Sequence, residues 1–102
     1  MKLDALSVDQ CYLNPRTQTP KGCEKFVTEL GGTAGSVRER AKGSNKPLIA
    51  QADALDHAVA AYRGSSCSTV TTPGGPCTQA LSDIASAVTA IKQLVKGQAT
   101  TG

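Results

Sequence analysis

The chain has no tryptophan, two tyrosines, one phenylalanine and one histidine in 102 residues. So few aromatics give no stacking surface for bases, and a net charge of +3 is small against a phosphate backbone. Nucleic acid is therefore not expected as a partner. No stretch approaches the ~18 consecutive apolar residues of a membrane-spanning helix, so no transmembrane segment is expected. The opening "MKLDALSVDQ" holds no apolar run long enough for the core of a signal peptide. There is no C-x-x-C redox pair. "GGTAG" at 31–35 lacks the Lys-Ser/Thr that a P-loop places on phosphate and magnesium. Strand alternation is also scarce: "STVTT" at 68–72 is the one β-branched run, and it reads as loop.

The single histidine, His57, is expected nearly opposite the Leu55, Val59 and Tyr62 face of its helix, pointing to solvent with Asp53 one turn earlier. That reads as a surface ion pair rather than an acid–base or metal pair. No general acid and base can be paired, and no second metal ligand is near in sequence. The expectation is a non-enzymatic protein with no metal and no cofactor.

What is present is helical. Cys23, Phe26, Val27, Leu30, Ala34, Val37 and Ala41 recur at steps of three or four, behind Thr19 as N-cap and Pro20 as first helical residue. Leu48, Ala52, Leu55, Val59 and Tyr62 align in a segment after Pro47, with Gly64 at its C-terminal end. Cys77, Ala80, Leu81, Ile84, Val88, Ile91 and Val95 align from Pro76 to a stop at Gly97. This makes residues 1–97 one domain and 98–102 a loose tail. A shorter first helix is expected to end before Asn14-Pro15, with Leu3, Leu6, Gln10 and Leu13 on one face and Cys11 off it. Glycines 31, 32 and 35 fall on the outer side of the second segment and predict a bend or break there. The alternative is a flat docking face for another helix.

Four cysteines, Cys11, Cys23, Cys67 and Cys77, are spaced C-x11-C and C-x9-C, unlike any zinc ribbon or finger. An even set in a small alanine-rich chain points to disulfides, and disulfides point to an oxidising compartment. "TPKGC" at 19–23 is nearly repeated as "TPGGPC" at 72–77, with one more cysteine shortly before each copy. In an all-α, up-down-up-down four-helix bundle with a short first helix, all four cysteines fall at one pole, at the turns of two αα-hairpins. The preferred pairing is Cys11 with Cys23 and Cys67 with Cys77; crossed pairings remain open. Tyr12, Phe26 and Tyr62 are expected to gather at that pole as a small core.

At the opposite pole the short first helix would leave a gap. Val37, Ala41, Leu48, Ala52, Ile91 and Val95 would line an apolar slot, rimmed by Arg38, Lys42, Lys46, Lys92 and Lys96. Cations at helix C-termini also answer the macrodipole. As a site, apolar walls with a cationic rim suit an anionic amphiphile such as a fatty acid or lipid fragment. The competing expectation is a protein-interaction module of the cell envelope, a monomer or weak homodimer, docking through the glycine face or the aromatic pole.

The Ala/Gly/Thr-rich helices and cysteine-closed hairpins resemble small exported, cysteine-containing all-helical proteins of actinobacteria. That resemblance implies a secreted or cell-envelope protein, here in its mature form without a signal peptide.

Overall fold

The computed structural model describes residues 6–41 and 45–101, with 97–101 described by backbone alone. Four α-helices and no strand occur among the described residues: α1 (Gln10–Leu13), α2 (Glu24–Ala41), α3 (Lys46–Gly64) and α4 (Gly75–Thr101). Short 3-10 turns lie at Pro15–Thr17, Pro20–Cys23 and Cys67–Thr69. The all-α class expected from periodicity is the class observed.

Helix α3 packs on both α2 and α4, while α1 and the Pro15–Thr17 turn pack on α4. The pairing of α2 with α3 is antiparallel. Arg38 near the end of α2 reaches Asp53 and Asp56 early in α3, while Gly31 sits against Val59 and Arg63 late in α3. The molecule measures 43 × 24 × 17 Å. The long dimension follows from the 27 residues of α4, which at a rise of ~1.5 Å each span about 40 Å.

The periodic positions are the core. Val27, Leu30, Ala34 and Val37 of α2, Leu48, Ala52 and Leu55 of α3, and Leu81, Ile84, Val88 and Ile91 of α4 are all buried. Each helix places its apolar residues at steps of three and four, so one stripe per helix turns inward. At the start of α3, the Asn45 side chain accepts from the Leu48 amide, and Pro47 takes a first-turn position where its missing N–H costs nothing.

Three local expectations are corrected. The first concerns α1. Within the described residues it is a single turn that restarts at Asp9, whose Oδ1 accepts from the Cys11 amide at 2.8 Å. Residues 7–9 turn before it, so the phase counted from Leu6 is lost. Leu6 and Cys11 are buried, whereas Leu13 is 53% exposed. Leu3 lies outside the described residues. The second concerns the break expected in α2, which instead runs continuously through Gly31, Gly32 and Gly35. Tertiary packing of its other face outweighs the propensity cost of the glycines. The third concerns α4, which passes Gly97 and stays helical to Thr101. One glycine costs a helix only about 1 kcal/mol, too little to end it alone.

The two near-identical stretches use their glycines differently. At 19–23, Thr19 Oγ1 accepts from the Gly22 amide, and a Cβ on Gly22 would stand 2.9 Å from that oxygen. At 72–77, Gly74 and Gly75 have φ of 108° and 70°, open to glycine and strained for other residues. The similarity reflects two ways of starting a helix rather than one repeated structure.

Candidate functional site

The disulfides are Cys11–Cys23 and Cys67–Cys77, as preferred. Their turns meet at one end of the molecule, where the Lys21 amide donates to the Val70 carbonyl at 2.8 Å. Tyr62 lies beneath them, its hydroxyl donating to the Pro20 carbonyl at 2.5 Å. Burial, and secondarily the negative charge of Glu24, hold its phenol above the usual value. Phe26 is buried at the same end. Tyr12 is not with them: it lies along α4.

The expected slot is closed. Val37, Ala41, Leu48, Ala52 and Ile91 are 0–1% exposed, and Val95 is half-buried. The expectation assumed a square of four helices missing most of one side. These residues belong to the buried core cluster, so among the described residues they form core rather than cavity wall.

The expected rim is also dispersed. Arg38 bridges Asp53 at 2.7 Å and Asp56, and the hydrogen bond to Asp53, then that to Asp56, raises its pKa. Asp53 therefore serves Arg38 rather than His57. Lys92 lies over the Tyr12 ring, 5.6 Å from its centre. Lys46 and Lys96 are exposed, and Lys42 lies outside the described residues.

Open concave surface lies elsewhere, on both flanks of α4. Between α3 and α4 is a shallow groove of about 610 Å³, floored by Ala58 and Ala87 and edged by Gln51, His57 and Asp83. Between α1 and α4 is a second, of about 590 Å³, lined by Tyr12, Leu13, Pro15 and Arg16 on one side and Ser82, Ala85 and Thr89 on the other. Ser86 borders both, so the grooves adjoin across the exposed ridge of α4.

The second groove has a fixed wall. Thr89 Oγ1 donates to the Ala85 carbonyl at 3.0 Å, which uses its one proton. The 2.6 Å contact with Tyr12 is then a hydrogen bond donated by the Tyr12 hydroxyl. That bond and Lys92 above the ring hold Tyr12 in place. The buried Ser82 hydroxyl oxygen makes no hydrogen bond.

Neither large apolar residues nor clustered charge marks this surface in the sequence. The available signal was "SDIASAVTA" at 82–90, where every position outside the Ile84, Ala87 and Val88 stripe is small or polar. Small side chains on a helix flanked by two others leave hollows on either side of it. No group of three or more His, Cys, Asp or Glu residues able to hold a metal ion occurs among the described residues. Among these residues, no helix is long and apolar enough to cross a membrane.

No family model, curated protein or solved structure matches the chain.

Proposed function

We propose that this is an exported, non-enzymatic binding module of the cell envelope, and that a protein partner docks on the α4 face. The observation that carries the reading is the pair of adjoining grooves sharing Ser86, walled by helices and a hydrogen-bonded tyrosine. Small residues along α4 let another backbone approach closely, and approach of helix to helix at ~8 Å needs such positions. Export is supported by two disulfides in a small chain, a combination suited to an oxidising compartment.

An amphiphile carrier would need internal room, and the residues named for that room are buried against one another. Long-chain fatty acids are accordingly expected to leave the melting temperature unchanged.

The docking reading is tested with a photo-crosslinking amino acid at Ser86, compared with the same group at exposed Gly35 on α2. Expressed in the natural host, the Ser86 probe is expected to trap a discrete protein that the Gly35 probe does not. Equal products from the two positions, or none from Ser86, would overturn the reading. A product of twice the chain mass would identify the partner as a second copy.

A further inference from the structure

The two grooves differ in charge, and the difference selects an occupant. The α3–α4 groove carries both Asp83 and His57 on its edges. Among the described residues the α1–α4 groove has Arg16 as its only charged lining residue, and Lys92 stands above its tyrosine wall. Neither Arg16 nor Lys92 pairs with a carboxylate among the described residues, unlike Arg38, which bridges Asp53 and Asp56. Beside these charges the lining is mixed, apolar at Leu13, Pro15 and Ala85 and hydroxyl-bearing at Tyr12, Ser82, Ser86 and Thr89. Among the described residues Leu13, 53% exposed, is one of two large hydrophobic residues left exposed, and the other, Val8 at 74%, lies just before α1 in the same N-terminal segment.

Resting on the docking reading, we propose that the α1–α4 groove takes an acidic, aliphatic segment of the partner protein. The partner's carboxylates would pair with Arg16 and Lys92, and an aliphatic side chain would cover Leu13 and Pro15. Arg16 offers a planar fork that matches a carboxylate with two parallel hydrogen bonds. Lys92 acts as a point charge, already oriented by the Tyr12 ring. Tyr12 cannot swing into the groove without breaking its bond to Thr89, so the wall is formed before binding and less order has to be imposed on docking. Leu13 and Pro15 supply the anchor, and the two cations set polarity and register.

The probe is a short fluorescently labelled helical peptide of Glu, Leu and Ala, with a counterpart in which every Glu is Lys. Binding is followed by anisotropy on the oxidised full chain. The Glu peptide is expected to bind and to weaken as salt rises, because exposed charges are screened beyond about 10 Å at 0.1 M. Arg16→Glu and Leu13→Ser are each expected to weaken it about tenfold. Lys46→Glu, at the far end of the α2–α3 hairpin, is expected to leave it unchanged. All three positions are exposed, and circular dichroism confirms that each variant is folded. Equal binding of both peptides, no binding of the Glu peptide, or indifference to Arg16→Glu would overturn the proposal.

The two readings fail separately. If Ser86 traps a partner but the Glu peptide does not bind, the acidic occupant is wrong and the docking face stands. If the Glu peptide binds through Arg16 while Ser86 traps nothing, the groove's chemistry stands and docking across the ridge is wrong.

Discussion

Tyr62 is the residue where burial and polarity are most tightly joined. It is 2% exposed and its hydroxyl satisfies the Pro20 carbonyl beneath the paired turns. Tyr62→Phe keeps the ring but leaves that carbonyl without its donor. The expected cost is about 1–3 kcal/mol, read from urea unfolding. The same residue predicts a pH dependence. Its phenol is held above the usual value of about 10 by burial first and Glu24 second. A group raised in the folded state contributes stability that is complete below its unfolded pKa and is lost as pH climbs towards the folded one. The chain should therefore lose stability above about pH 10, and Tyr62→Phe should flatten that loss. A decline equally steep in the variant would show that other groups govern the alkaline limb. Ser66 is strained, in the left-handed region at φ 54°. Ser66→Gly is expected to stabilise by up to about 1 kcal/mol, through relief of the clash with its own Cβ.

At the scale of elements, α2 carries its glycines at a measurable cost. A Cβ at Gly32 or Gly35 would meet nothing within 4 Å, so alanine at either site fills open space. Each replacement is expected to add up to about 1 kcal/mol, the double variant raising the melting temperature by several degrees. Gly31 differs because it faces α3: an added Cβ would stand 3.2 Å from the Arg63 guanidinium and must push it aside. Gly31→Ala should therefore gain less than the other two. A glycine series in which all three gain equally would contradict the antiparallel register of α2 on α3. The helix–helix connection also explains a misplaced residue. Asp53 was read as the neighbour of His57 along one helix, but the register brings Arg38 across from α2 to meet it.

At the scale of the molecule, two covalent loops hold the ends of three long helices. Cys11–Cys23 joins the N-terminal segment to the start of α2, and Cys67–Cys77 closes the turn from α3 to α4. Closing loops of this size restricts the unfolded chain by roughly 3 kcal/mol each in the entropy model. All four cysteines are buried. Reduction in native buffer is therefore expected to be slow and to accelerate sharply in urea, as read by alkylation and intact mass. Once reduced, the melting temperature should fall by many degrees. Rapid reduction of the native protein would mean that the cysteine end opens on its own.

Much of the fold follows from sequence alone. Spacing at three and four, the capping residue Thr19, the prolines at helix starts and turn-forming glycines are local properties, and they set three helices close to their observed places. Two cysteines a short loop apart were enough to favour each bridge. What only the tertiary structure decided is which surfaces remain open. Closure of the slot depends on how three stripes meet, and the hollows beside α4 depend on what does not stand next to its serines and alanines. Local periodicity says which side of a helix is apolar. It does not say what lies opposite, because that is fixed by the positions of elements distant along the chain.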